Sequence, residues 1–193
     1  MKFSKQCAES VKKANRVIGI IRRNFINFDK KVLLQLYKSL VRPHLDYAVP
    51  IWKPHLKKDI SLMESVQRRM TRLIPGMRGK TYEERLKELN LMSLEQRHIR
   101  QDLLTFYNII NKKMDIDLDG ITEIIGKERT RGNFYKIRPK YARLECRRNA
   151  YFHRIWKIWN ELPDAVVKKT SVNGFKKELE QYMIIKGLWP PII

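Results

Sequence analysis

The chain has 193 residues, enough for one domain or two small ones with a buried core. Its 41 lysines and arginines against 20 acids give a net charge of +21. Such a surplus repels itself unless a polyanion offsets it, so nucleic acid is the first partner expected and a membrane surface the second. Two cysteines exclude a disulfide framework and point to a reducing compartment. No apolar run approaches the roughly 18 residues that span a bilayer, and the first residues lack the apolar stretch of a signal peptide. The expected location is intracellular, in nucleus or cytoplasm, with no membrane association.

The elements read mostly as helices. From Ala8 to Phe25, Val11, Ala14, Ile18 and Ile21 recur at helical spacing, with Lys12, Lys13, Arg16, Arg22 and Arg23 between them. Asp29 can cap a helix from Lys30 to Val41 that should stop before Pro43. Leu33, Leu36, Tyr37 and Leu40 then share one face, and Lys31, Gln35, Lys38 and Arg42 line the other. The prolines at 43, 50 and 54 make the next stretch a broken helix or an extended connector. A helix from about Leu56 to Ile74 should bury Ile60, Met63, Val66, Met70 and Leu73 while Arg68, Arg69 and Arg72 project outward.

Thr81 with Glu84, and Ser93 with Gln96, both fit the capping box. They predict a short helix ending near Leu89 and a long one to about Asn111, burying Ile99, Leu103, Phe106, Tyr107 and Ile110. An acidic, then glycine-containing and basic segment follows, and residues 116–132 read as a linker between a domain of residues 1–115 and a small basic domain of residues 133–193. Residues 133–146 mix aromatic, β-branched and basic side chains without helical period and predict a short extended or hairpin segment. Arg148 to Glu161 should bury Phe152, Ile155, Trp156 and Trp159, and Ser171 should cap a last helix burying Phe175, Leu179 and Tyr182. The fold class expected is mainly all-α: a bundle of amphipathic helices with one short extended segment.

Several short motifs draw the eye and fail. Gly79-Lys80-Thr81 resembles the end of a P-loop, but position 74 is isoleucine and the preceding element is an amphipathic helix, not a strand. Gly76-Met77-Arg78-Gly79 matches a KH-type GXXG clamp, yet the flanking strands of that module are missing. Asp115, Asp117, Asp119 and Gly120 begin like an EF-hand loop whose twelfth position is Gly126 instead of glutamate. The four histidines (44, 55, 98 and 153) are dispersed, so zinc-ligand spacing is absent, and Cys7 and Cys146 read as buried small hydrophobes. No set of residues assembles into an active site.

The basic helix faces carry the remaining signal. Between Arg129 and Trp159 stand ten lysines and arginines and one acid, Glu145. Phe134, Tyr135, Tyr141 and Tyr151 among them are of a kind that stacks on bases, whereas Phe152, Trp156 and Trp159 fit a core better.

Three stretches carry a resemblance: LLQLYKSLVRPHLDYAVPIWKPHLKKDISLMESVQRRMTRLIPG, TYEERLKELNLMSLEQRHIRQDL and WNELPDAVVKKTSVNGFKKEL. Together they resemble the C-terminal end of reverse transcriptases from LINE-class, non-LTR retrotransposons of the jockey and chicken-repeat kind. The opening KFSKQCAESVKKANRVIGIIRRNF is similar to the segment just after the catalytic palm in that family, and the likeness runs in order from Lys2 to Tyr182. It implies a polymerase thumb with its helical extension over residues 1–115 and the family's C-terminal domain beyond. The thumb would hold RNA or an RNA–DNA template–primer, and target DNA is a further candidate partner. Family polymerases bind two Mg²⁺ on palm carboxylates with an Asp-Asp signature. This chain has no Asp-Asp pair and nothing like the palm, fingers or endonuclease.

The expectation is therefore a nucleic-acid-binding part of an RNA-directed DNA polymerase that is no enzyme as it stands, with no cofactor of its own. Arg68, Arg69 and Arg72 are the first candidate phosphate contacts, then Lys31, Lys38 and Arg42, then Arg22, Arg23, Arg147 and Arg148. Two alternatives stay open. One is a co-opted or structural protein-interaction domain; the other is a subunit that completes a polymerase in trans with the rest of the reverse transcriptase.

Overall fold

A computed structural model describes residues 3–25, 29–118, 121–125, 133, 135–138 and 141–187. The fold is mainly helical, with a single two-stranded sheet among those residues. The chain divides into two units, one ending at His98 and the other running from Ile99. That division lies inside a helix, upstream of residue 115 where the composition changes. A shift in composition marks where solvent charge changes, whereas contacts change where a helix begins to bury a different set of side chains.

In the first unit, α1 (Ser4–Asn24) buries Val11, Ala14, Ile18 and Ile21 as its spacing requires, and adds Cys7 and Ser10. Next comes α2 (Lys30–Leu36), which passes into a π-helical turn over Tyr37–Val41 and then into α3 (Pro43–Asp46). Leu33, Tyr37, Val41, Leu45 and Val49 are all fully buried, one every four residues. In an ideal α-helix each four-residue step overshoots the face by about 40°. The wide turn, in which the Arg42 N–H donates to the Tyr37 carbonyl at 2.9 Å, takes up part of that drift.

Two expectations change as a result. Pro43 does not stop the helical path but opens the next turn, where its missing N–H has no bond to lose. Leu40, expected on the apolar face, is rotated off it and 48% exposed. After α4 (Val49–Trp52) comes α5 (Lys57–Leu73), whose inner face is less apolar than its pattern suggests. Met63, Val66 and Met70 are buried as expected, but Asp59, Glu64, Gln67 and Thr71 are buried beside them, while Ile60 and Leu73 are only half-buried.

Gly76 and Gly79 both take positive φ, +78° and +82°, in the turn after α5. The GXXG pattern is therefore a reversal that glycine makes without strain. Thr81 then caps α6 (Tyr82–Glu88) with both halves of the capping box: the Glu84 N–H donates to Thr81 Oγ1 at 3.3 Å, and the Thr81 N–H to Glu84 Oε2 at 2.7 Å. These bonds hold the Glu84 carboxyl below its usual range. Lys80, the lysine of the Gly-Lys-Thr triplet, is bound to Glu88, which also receives Lys30 at 2.9 Å. A second capping box at Ser93 and Gln96 starts α7 (Leu94–Ile110).

The second unit is built on aromatic packing. From α7 it takes Leu103, Phe106, Tyr107 and Ile109, with Ile99 and Ile110 only half-buried. α8 (Glu145–Arg148), α9 (Tyr151–Asn160), α10 (Asp164–Val167) and α11 (Val172–Ile185) complete it. Phe106 meets Trp159 edge-on at 4.8 Å, and Tyr107 stacks on Phe175 at 4.1 Å. Phe152, Trp156 and Tyr182 are half-buried, so the deepest side chains are Ile155, Trp159, Phe175, Leu179 and Met183.

The extended segment differs from its expected place in two respects. β1 (Glu123–Ile125) comes from the stretch read as linker and pairs antiparallel with β2 (Lys136–Arg138). Glu145 and Cys146, expected to be extended, open α8 instead. Asn160 fastens β2 to α9 through both its amide atoms, each 2.9 Å from the Ile137 backbone. Asp119, Gly120, Gly126, Arg129 and Phe134, singled out from the sequence, lie outside the described residues. No helix among the described residues is long and apolar enough to cross a membrane.

Candidate nucleic-acid interface

Two hydrogen bonds set the geometry of the basic surface in the first unit. Ser4 Oγ donates to Asp59 Oδ2 at 2.6 Å, and Arg69 Nη1 donates to Asn15 Oδ1 at 3.2 Å. Positions 4 and 15 of α1 thus lie beside 59 and 69 of α5, so the two helices run parallel and in step. Parallel packing brings their C-terminal ends to the same end of the unit. The last turns there carry Arg22 and Arg23 on α1 and Arg72 on α5, where cations offset the partial negative charge of the helix ends.

Arg16, Arg22, Arg23, Arg69 and Arg72 are all exposed. None of the five is joined to a carboxylate among the described residues. Residues some fifty positions apart in sequence therefore form one cationic surface, with guanidinium forks that match phosphate oxygens. Of the expected contacts this surface gathers Arg22, Arg23, Arg69 and Arg72. Arg16 was not among them, although its spacing from Arg23, seven residues and two helical turns, places it on the same side of α1.

The other expected contacts are placed differently. Arg68 projects from the opposite edge of α5 and lies over the Tyr82 ring, 4.8 Å from its centre. Lys31 is exposed on α2, while Lys38 is half-buried in the π-helical turn. Arg42 is half-buried with its Nε 3.7 Å from Asp46 Oδ2. It belongs to an ion-pair cluster rather than to the free face read from the helical wheel. In that cluster Arg97 Nε donates to Asp46 Oδ2 at 2.5 Å, and His98 Nε2 lies 3.6 Å from Oδ1. Burial works against ionisation of Asp46, but the contacts with His98 and Arg97 outweigh it and hold the carboxyl below its usual range. Arg147 and Arg148 are exposed on α8 in the second unit, and Tyr141, a few residues earlier in the chain, is 90% exposed.

A polar network inside the first unit holds α5 to the starts of α6 and α7. Buried Glu64 accepts from the Tyr82 hydroxyl and from the Leu94 N–H at 3.0 Å. Gln67 accepts from the Tyr37 hydroxyl and donates to Tyr82 Oη at 3.0 Å and to the Met92 carbonyl at 2.8 Å. Burial, with the Glu64 carboxylate beside it, keeps the Tyr82 phenol protonated well above its ordinary range. The network is fully partnered, so it positions helices and offers no reactive group.

The cysteines part company. Cys7 is buried, and burial together with Asp59 pushes its thiol up to about 11, whereas Cys146 is exposed on α8. The expectation that both are buried fails for Cys146 because the four-residue α8 buries none of its side chains. No three His, Cys, Asp or Glu side chains cluster as metal ligands among the described residues. Compared with protein-family models, curated proteins and solved structures, the chain matches none.

Proposed function

We propose that the chain is a nucleic-acid-binding part of a non-LTR reverse transcriptase, holding RNA or an RNA–DNA template–primer through the basic faces of its helices. The observation that carries this reading is the shared end of α1 and α5, where five exposed arginines gather without a carboxylate partner among the described residues. Arginine in that setting neutralises backbone phosphates and reads shape rather than base sequence. The family assignment rests on the sequence stretches that resemble thumb and C-terminal domain. Metal-dependent polymer synthesis would belong to palm carboxylates outside this sequence, and this chain contributes grip.

Counterion release supplies the test. Affinity for a fluorescent RNA should fall steeply as salt rises, by about 0.7 of a logarithmic unit per contacted phosphate for each tenfold step in salt for single strands. Replacing Arg22, Arg23, Arg69 and Arg72 together by alanine should flatten that slope. An affinity indifferent to salt would overturn the reading. Primer extension by the chain alone would overturn the statement that it is no enzyme.

A second reading, a subunit that completes a polymerase in trans, is favoured by Tyr47 and Ile51. Tyr47 in the α3–α4 turn and Ile51 in α4 are 76% and 74% exposed, as a surface awaiting a protein partner would leave them. Extension restored only on adding a palm-containing fragment would support it.

A further inference from the structure

Gly19 stands where a helix former belongs. It lies inside the 21-residue α1, several residues before its end. A Cβ built at this position meets no atom within 4 Å, so nothing among the described residues requires the side chain to be absent. Glycine is nonetheless the poorest helix former after proline. Arg16, Arg22 and Arg23 sit at the third position before it and the third and fourth after it, the neighbours of a residue on a helix surface. With Gly19 they line a shallow, open depression.

We propose that this depression seats a backbone phosphate of a bound nucleic acid, with the bare helix at Gly19 as its floor and the three guanidinium groups as its walls. Absence of a side chain is what a ligand needs when it must approach a helix backbone closely. Arginine at all three flanking positions suits phosphate better than lysine, since its planar fork donates two parallel bonds to two oxygens. Arg22 and Arg23 would complement the helix dipole whatever residue stood at 19, so the dipole leaves Gly19 unexplained. The shape favours a strand over a membrane surface: one phosphodiester chain can enter a dip one residue wide. A planar array of anionic headgroups would meet the guanidinium tips and leave the floor untouched.

The proposal rests on the RNA-binding reading above and adds a location to it. Its test uses the full chain with Gly19→Ala and Gly19→Gln, measuring thermal midpoint and anisotropy of a labelled single-stranded RNA. Both variants should unfold at higher temperature, because each is a better helix former in open space. Both should bind RNA more weakly, Gly19→Gln by about tenfold, with a salt slope reduced by about one contact. Stability rising while affinity falls is the signature of a residue kept for a ligand. If Gly19→Gln binds as tightly as the parent while Arg16, Arg22 and Arg23 to alanine weakens binding, the seat is wrong and the basic face stands. If the parent itself binds RNA without salt dependence, the underlying reading fails and the seat with it. Tighter binding of the parent to phosphatidylserine vesicles than to RNA, unchanged by Gly19→Gln, would also overturn the seat.

Discussion

The arginines of α1 and α5 and those of α7 and α9 sit on amphipathic helices of the same kind, yet they meet different surroundings. On α1 and α5, Arg16, Arg22, Arg23, Arg69 and Arg72 are exposed and find no carboxylate among the described residues. On α7 and α9 the arginines are turned to internal use. Arg100 Nη2 donates to Glu180 Oε1 at 2.6 Å, and Arg154 donates to the nearly inaccessible Asp102 through Nη2 at 2.9 Å and Nε at 3.1 Å. A net charge is thus a poor map of a binding surface. Cations paired in the interior hold the fold, and only the unpaired ones are available to a polyanion.

That contrast can be broken by substitution. The largest effect should come from Arg154→Ala, which leaves the buried Asp102 carboxylate without its guanidinium and should destabilise the protein by about 3 kcal/mol. Urea unfolding would measure it. A loss below about 1 kcal/mol, the usual worth of an exposed pair, would show that Arg154 serves the surface after all.

Tyr82→Phe should cost about 2 kcal/mol in the same measurement. It removes the hydroxyl that donates to Glu64 and accepts from Gln67 while leaving the ring under Arg68 in place. Asp46 offers a smaller, pH-dependent effect. Its folded-state carboxyl titrates below the ordinary value of about 3.9, so its contribution is present above that value and is lost as pH falls through the depressed one. Thermal midpoints should therefore drop on the acid side, and Asp46→Asn should flatten that drop while lowering stability near neutrality.

The smallest change in stability is expected for Arg16→Ala with Arg72→Ala, within about 0.5 kcal/mol of the parent. The same pair should nevertheless reduce the salt slope of RNA binding by more than one contact. If it destabilises as strongly as Arg154→Ala, the division between structural and available arginines is wrong.

Much of the fold could be read from local chemistry. The capping boxes at Thr81 and Ser93 appear as written, because both partners lie within one turn and need no other part of the chain. The Val11, Ala14, Ile18 and Ile21 stripe is likewise buried where its period puts it. Leu40 leaves the apolar face because a helical wheel assumes 3.6 residues per turn, and the π-helical turn breaks that assumption. The helical pattern does not mark Asp59, Glu64 and Gln67 as buried, because their partners, Ser4, Tyr82, Leu94 and Met92, come from other elements. β1 is not legible in the sequence, since three residues carry too little pattern to announce a strand whose partner is a dozen residues away.

For the candidate site the division is similar. Composition and helical spacing determined that this protein carries a large cationic surplus on the outer faces of amphipathic helices, since charge and period are local properties of the chain. They also marked Arg22, Arg23, Arg69 and Arg72 individually. Only the tertiary structure decided that α1 and α5 run side by side, which brings Arg69 and Arg72 toward the end of the unit that carries Arg22 and Arg23. Only it decided that Arg42 and Arg68 are engaged elsewhere and that the space over Gly19 is open among the described residues. The physical reason is that pairing is a property of neighbours in space. Whether a guanidinium is spent on Asp46, laid over Tyr82 or left to meet a phosphate depends on how α1 and α5 align, and no local pattern encodes that alignment.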